Sequence, residues 1–558
     1  MTASTATTPT AQTVTADADG ATSGSGARSA RMRSRAFPLS AGLVVITALV
    51  QNLFRLSASS AYADEGTYAT AAWRYLHGQV EAVPTGVVDV LPDNFQHPPL
   101  AKLLFGVAQE LAGHPSITAD RWVAAICSLA TGLVLAGWIG SVAGRWAGLL
   151  AGAMTVLIPA GTMGTRFGRF GMLDPVAEFF MVCSVALAWW WFSKVGRRAW
   201  LLSVAAGVAT GLATASKENG FLGICGPIML GLLLDLRHRE YRLQRLGQTL
   251  TATVACAVAF AACYLPFDEP LGRMKFALVF QGTHSSDGHL IGFAGRVAQY
   301  PPWWANLWFA GHGLGSWVTA GLVSAMLAAL ALRHRDPLVW WCVAAVAVPL
   351  DFHCFIANVT LSFYWVMWMP AVFALAALGI QSLAGGRQRL PADGSIPPAH
   401  TAKRLHHARF GPGAAAAITI LLILLGDALA GTWRVITLRP AGPQVLSAVL
   451  KSHGLGGEVV AAGVYPDEFS PYTTALRMNY GLPETVDAVD AVVIGQPRCR
   501  TLVDPAVRAL VTVNVKQGRL SEIYSDHEIR LFAASGRLIR PSVSEVARED
   551  PGKLSDQC

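Results

Sequence analysis

Apolar stretches of about 20 residues recur along most of this chain, and that recurrence constrains the fold more than any other feature of the sequence. A helix of that length crosses the hydrocarbon core of a bilayer, where backbone groups have to bond within their own segment. The runs lie near 39–57, 120–143, 146–164, 172–193, 199–215, 219–236, 247–266, 314–332, 337–356, 363–384 and 413–435, about eleven in all. Basic residues fill every second loop: the stretch Arg28 to Arg35, Arg145, Lys194 with Arg197 and Arg198, Arg237 to Arg245, Arg333 and Arg335, and Arg387 to Arg409. By the positive-inside rule those loops and the N-terminus are cytoplasmic, and an odd number of crossings puts the C-terminal segment on the other face.

Composition agrees. Of 558 residues, 53% are hydrophobic and 14% charged, against about 25% charged in soluble proteins. The net charge of +8 does not imply nucleic acid, because the basic residues are gathered in short loops. Seventeen Trp suit membrane–water interfaces. The nine Cys include no CxxC pair. Cys127, Cys183, Cys225, Cys256, Cys263 and Cys342 lie in apolar runs and read as small core residues; pairing of Cys499 with Cys558 stays open.

Three regions follow. Residues 1–36 are rich in Thr, Ala, Ser and Gly and read as a disordered cytoplasmic tail; the first apolar run reads as an uncleaved helix. Residues 37–437 form the transmembrane part, with a cytoplasmic linker from Gly385 to Gly413. In 438–558 the charge rises, and β-rich runs (Val459 to Val464, Ala491 to Ile494, Glu528 to Phe532) alternate with helical stretches such as Gln444 to Ser452. The fold class is therefore an all-α polytopic membrane protein with a small extracytoplasmic α/β domain at its C-terminal end.

The unusual polar residues gather in the loops expected outside the cytoplasm. Asp64-Glu65 follows the first apolar run; it reads as a general base near the membrane boundary or as the cap of a following helix. In Gln96-His97-Pro98-Pro99-Leu100-Ala101-Lys102, His97 and Lys102 suit a phosphate at a helix start, or Lys102 snorkels. Arg166 and Arg169 run against the positive-inside bias, which favours an anion such as a lipid phosphate; Asp174 is the nearby counter-charge. Ser216-Lys217-Glu218-Asn219-Gly220 is a similar turn, with Glu218 beside Lys217. The long loop from Asp268 to Gly311 holds Gln281, His284, Asp287, His289, Trp303 and Trp304. Aromatic faces beside His and Asp suit a sugar ring; a metal on His284, Asp287 and His289, or an interfacial Trp belt, are the other readings.

Taken in this order, the motifs resemble the lipid-carrier-dependent GT-C glycosyltransferases, and within them the dolichyl-phosphate-mannose–protein mannosyltransferase-like family. Asp64-Glu65 is similar to that family's acidic pair, His97-Pro98-Pro99-Leu100-Ala101-Lys102 to its His-Pro-Pro-Leu-Gly-Lys motif with Ala for Gly, and Arg169 to Asp174 to its Arg…Leu-Asp segment. Ser216 to Gly220 resembles its Lys-x-x-Gly turn, and the His284 and His289 loop resembles the matching loop of bacterial members. Related lipid A aminoarabinose transferases carry Lys before the Pro-Pro pair, where this chain has His97. The resemblance covers roughly 39–380 and leaves the C-terminal segment aside.

The resemblance implies a GT-C fold in the plasma membrane and an inverting transferase. It would move a sugar, mannose first and an arabinose-type pentose second, from a polyprenyl-phosphate donor to an acceptor hydroxyl of open identity: protein, glycan or lipid. It implies Asp64 as general base, with Glu65 binding the acceptor or orienting the base. Arg169, Arg166, Lys102 and Lys217 would meet the donor phosphate. His97, Asp174, Gln281, His284, His289 and Trp303 would shape the sugar and acceptor site. A lipid phosphate leaves without a proton, so no cofactor is required and a divalent metal is optional. The competing class is a transporter or flippase of lipid-linked sugars, which would carry its polar residues near the bilayer midplane.

Overall fold

The computed structural model describes residues 24–59, 64–82, 93–158, 167–235, 239–289, 291–294, 296–385, 411–462, 477–495, 504–526 and 529–549. By contacts the chain divides into Met1–Val45 and Ile46–Cys558. In the first unit the described residues are helical from Gly24, inside the tail where the sequence predicts disorder. The Ala, Arg and Met of this stretch are good helix formers.

The helices are α1 (Gly24–Leu53), α2 (Glu65–Leu76), α3 (Leu100–Ala112), α4 (Ile117–Ala143), α5 (Arg145–Leu157), α6 (Leu173–Phe192), α7 (Gly196–Ser216), α8 (Leu222–Asp235), α9 (Arg239–Ala262), α10 (Pro270–Asp287), α11 (Ala305–Leu314), α12 (Ser316–Leu332), α13 (Pro337–Asp351), α14 (Met369–Leu383) and α15 (Pro412–Thr437). Their starts are written in the sequence. Ser116 caps α4 by accepting from the Ala119 N–H, and Asp336 caps α13 from the Leu338 N–H with Pro337 in the first turn. Gly315, at φ 80°, breaks α11 from α12, and the pair bends by 110°.

Among the described residues eight helices are long and apolar enough to cross a membrane, or nine if the bent pair is one span. The sequence predicts about eleven. The other two positions carry α5 and α8, of 13 and 14 residues. Hydrogen bonds show that both still run from one end of the bundle to the other. The Val156 carbonyl of α5 accepts from Asn52 at the end of α1, while the Ala143 carbonyl just before α5 accepts from Gln381 near the end of α14. At the end of α8, Asp235 pairs with Arg245, which also bonds the carbonyls ending α6; before α8, Glu218 meets His97. α5 and α8 thus occupy the two remaining predicted positions as shorter helices.

Small residues let these helices approach closely. A Cβ on Gly379 of α14 would collide with the Ala325 carbonyl of α12, and one on Gly207 of α7 with the Ala252 carbonyl of α9. The transmembrane core packs Trp191, Trp365, Phe167 and Phe170 against many Ala side chains.

The C-terminal segment builds a five-stranded sheet from β3 (Glu458–Ala462), β4 (Arg477–Tyr480), β5 (Val489–Gly495), β6 (Leu520–Ser525) and β7 (Ile529–Ala534), in the order β4-β3-β5-β7-β6. A small hairpin, β1 (Ile291–Phe293) and β2 (Arg296–Ala298), precedes it in the chain. β3 runs parallel to β4 and β5, and β7 antiparallel to β5 and β6. Alternate residues bury opposite faces. Val492 and Phe532 pack with Val507 and Leu510 of α17 (Pro505–Lys516), while Val493 and Leu531 pack with Leu446 and Leu450 of α16 (Pro443–Ser452). The strand runs and the helix read from the sequence fall on β3, β5, β7 and α16. A last helix, α18 (Val543–Glu549), follows. Cys499 and Cys558 lie outside the described residues.

The close approach at Gly379 gives a direct test. Gly379→Val should lower stability by about 1–3 kcal/mol or more, because backbone has to move to admit the side chain. Gly426→Ala, on open helix surface, should not lower it. Thermal denaturation in detergent compares the two.

Candidate active site at the helix ends

Asp64 stands at the start of α2, half-buried, and the Tyr68 hydroxyl one turn on donates to its Oδ2 at 3.2 Å. Tyr68 is itself 3% exposed. Burial, then Asp64, Asp174, Tyr364 and Glu218, raise its phenol well above the ordinary value, so it remains a hydrogen-bond donor. The cap reading is corrected: Asp64 stands at the N-cap position of α2, but its side chain makes no capping hydrogen bond.

Glu65 has no access to solvent. Arg121, at the start of α4, holds it with two hydrogen bonds, Nε to Oε1 at 2.8 Å and Nη2 to Oε2 at 2.6 Å. The same guanidinium donates to the carbonyls of Leu56 and Ser59, and the Gly171 N–H donates to Glu65 Oε1. One ion pair thus ties the end of the first helix, the start of α2, the start of α4 and the loop before α6. This geometry suits Glu65 as an orienting group. A Cβ on Gly171 would press on Asp120 and Glu65, so glycine is needed there.

Two cations expected at a phosphate have other partners. Lys102 is fully buried and gives its three N–H groups to the Asn94 carbonyl, Asn94 Oδ1 and the His97 carbonyl. It holds the turn before α3. Arg169, also fully buried, donates to the carbonyls of Gln51, Phe54 and Arg55, and so closes the C-terminal end of α1, where a cation is favoured. Only its Nε lacks a partner among the described residues. Arg166 lies outside the described residues.

Lys217 is different. Its ammonium bonds Asp174 Oδ1 at 2.6 Å and sits over the rings of Tyr364 (4.5 Å) and Phe363 (5.0 Å). Among the described residues Asp174 therefore serves Lys217 rather than Arg169, and Lys217 does not pair with Glu218. Lys217 is extended (φ −152°, ψ 135°), so adjacent side chains point apart. Glu218 turns to His97, whose Nδ1 lies 3.0 Å from Oε2. Burial works to raise the Glu218 carboxyl, but the charge and hydrogen bond of His97, with Lys217 next, outweigh it and hold it down at about 2.

His97 gathers the remaining groups. Tyr68 meets its ring edge-on at 6.0 Å, and Gln281 of α10 bonds the Gln96 carbonyl at 2.9 Å beside His97 Nδ1. His284 stacks on Phe280 and lies edge-on to His289 at 5.5 Å. Burial, then His289 and His97, lower its value, which favours the neutral imidazole. Trp303 is apart from this chain of contacts, 55% exposed and stacked on Phe355. Among the described residues no three His, Cys, Asp or Glu side chains are grouped to hold a metal ion.

The motif loops thus meet at one end of the bundle, linked as Asp64–Tyr68–His97–Glu218, with Lys217–Asp174 adjoining. Tyr68, Glu218, Arg121 and Tyr364 carry this arrangement and were not singled out as site residues from the sequence. Arg121 had a signal, a charge opening an apolar run. Tyr68 and Tyr364 had none, since one tyrosine is like another until its neighbours are known.

Residues 96–264 match the family described as Dolichyl-phosphate-mannose-protein mannosyltransferase. The fold is similar to ArnT from Cupriavidus metallidurans bound to undecaprenyl phosphate, at TM-score 0.57 and 16% identity over 89% of this chain and 97% of that one. The apo state of ArnT gives TM-score 0.57 and 17% identity over the same shares. The Archaeoglobus fulgidus oligosaccharyltransferase in its apo form gives 0.53 and 12%, over 83% of this chain and 70% of that one. No curated protein matches the sequence. The family match covers 96–264 only, and the likeness to the solved structures shows a shared fold, the GT-C fold. The chain is a multi-pass membrane protein of that fold, closed by a small C-terminal sheet.

Two outcomes follow from the charges. Arg121→Met should cost about 3–5 kcal/mol, since it strands a buried carboxylate, and adding Glu65→Leu should recover part of the loss. Equal stabilities in thermal denaturation would refute the structural role. A depressed carboxyl stabilises above its unfolded value and loses that stabilisation as pH falls through its folded value. The deficit of Glu218→Gln against wild type should therefore shrink from about pH 4 towards about pH 2; a deficit constant with pH would count against the pair.

Proposed function

We propose that the chain transfers a sugar from a polyprenyl-phosphate donor to an acceptor hydroxyl, with inversion, on the extracytoplasmic face of the plasma membrane. Mannose is the sugar favoured by the family match over 96–264. The observation that carries the reading is the gathering at the same helix ends of a half-exposed carboxylate, Asp64, bonded by Tyr68, and a cation, Lys217, bonded by the Asp174 side chain rather than by backbone carbonyls.

In the proposed step the acceptor oxygen attacks the anomeric carbon opposite the phosphate. The bond from that carbon to the phosphate oxygen breaks, and the acceptor proton passes to Asp64. Tyr68 holds Asp64, and Glu65 acts through Arg121 by fixing the first turn of α2. Lys217, placed by Asp174 and Tyr364, meets the charge that gathers on the leaving phosphate. Lys102 and Arg169 shape the site through the turns they hold. His97, Gln281 and His284 border the sugar and acceptor side, with His289 beside them. The phosphate leaves as an anion, so the step asks for no general acid, and a divalent metal is optional. The polar groups lie at span ends rather than at mid-depth, which favours the enzyme over a transporter.

Asp64→Asn should cut transfer by about 10²–10⁴-fold while donor binding is kept. Unchanged turnover removes Asp64 as the base. Lys217→Met combined with Asp174→Asn, which avoids stranding a charge, should weaken binding of bare polyprenyl phosphate by about tenfold or more. Normal affinity would move the phosphate elsewhere.

A further inference from the structure

Buried polar atoms are nearly always paired, and one left without a partner is costly. Three such atoms lie together beside Lys217. Asp174 is 1% exposed, and only its Oδ1 is bonded; Oδ2 has no partner among the described residues. Asn219, 8% exposed, meets His353 at 3.5 Å through its amide nitrogen, and its Oδ1 has no partner among the described residues. The Nδ1 of His353, 3% exposed, likewise has none among them. The three are contiguous: Asp174 touches Lys217, Lys217 lies under Tyr364, the Tyr364 ring is 5.3 Å from the His353 ring, and His353 touches Asn219.

We infer that Asp174 Oδ2, Asn219 and His353 form the floor that selects the donor's sugar by its neutral hydroxyls. This rests on the glycosyltransferase reading and deepens it. Two of the three free atoms are oxygens that accept, so the ligand there donates from neighbouring hydroxyl groups. Tyr364 adds a ring face on which the C–H side of a sugar packs. Lys217 links the floor to the phosphate, so carrier and sugar are read by adjoining groups. His353 and Asn219 act on specificity and take no part in bond making.

The test uses the full chain in nanodiscs, with three probes: polyprenyl-phosphate mannose, the same carrier with a deoxy-mannose, and bare polyprenyl phosphate. Asn219→Leu and His353→Leu should each lose about tenfold in affinity for the mannose carrier, the loss expected for one buried hydrogen bond, and nothing for the bare carrier. His353→Gln, which keeps a polar atom, should recover part of the loss. Wild type should prefer mannose to the deoxy sugar, and the Leu variants should lose that preference. Should His353→Leu fail to fold, Asn219→Leu carries the same comparison. Folded variants with wild-type selectivity would mean that water alone meets these atoms, and would overturn the inference. Equal losses on sugar-bearing and bare carrier would overturn it too, by assigning the residues to the carrier. If wild type binds neither carrier, the proposed function itself falls, an outcome distinct from a failure seen only in the variants.

Discussion

A buried carboxylate and guanidinium, Glu65 and Arg121, hold this architecture at its functional end. Neither side chain is exposed, so each would be intolerable without the other. Such a pair adds little net stability compared with apolar residues, but it demands one geometry. Arg121 reaches back to the carbonyls of Leu56 and Ser59, and Glu65 reaches out to the Gly171 N–H. Three elements distant in sequence are thereby fixed around the first turn of α2, which is where Asp64 stands.

The same logic sorts the other charges. Arg169 satisfies carbonyls at the end of α1, Lys102 those of the turn from Asn94 to His97, and Arg245 those ending α6. These cations replace water where helix ends or turns are buried. Removing such a residue would damage folding and activity together, so loss of activity alone would not mark it as part of the chemistry. Lys217 stands apart because its one ionic partner is a side chain and its other neighbours are ring faces.

Much of this was legible in the sequence. Span length and loop charge located the helices, and β-rich runs located the sheet, because hydropathy over 20 residues and alternation over five are local properties. The site was legible as a set of loops but not as pairings. Asp174 reads as a partner for the arginines a few residues before it, yet it bonds Lys217, 43 positions on. Lys102 reads as a phosphate ligand, yet the turn before its own helix takes every donor it has. Partner choice in a buried site depends on which helix ends become neighbours, and no local pattern encodes that. His353 was hidden in an apolar run, where a lone ionisable residue is a signal in its own right.

The lengths of α5 and α8 bear on why the site lies where it does. A helix of 13 or 14 residues rises about 20 Å, less than the hydrocarbon thickness of about 30 Å. Yet both helices connect the two ends of the bundle. Before α8 the missing length is made up by the turn from Lys217 to Phe221. Short spans therefore set irregular backbone deeper than a full-length helix would allow, where it has to be buried in protein or line a polar site. Lys217 and Asn219 sit on that turn. Glycine allows the packing: a Cβ on Gly220 would collide with the Ala213 carbonyl of α7. The polar turn before α8 is thus a consequence of a helix that starts late, with backbone taking the place of the missing helical turn.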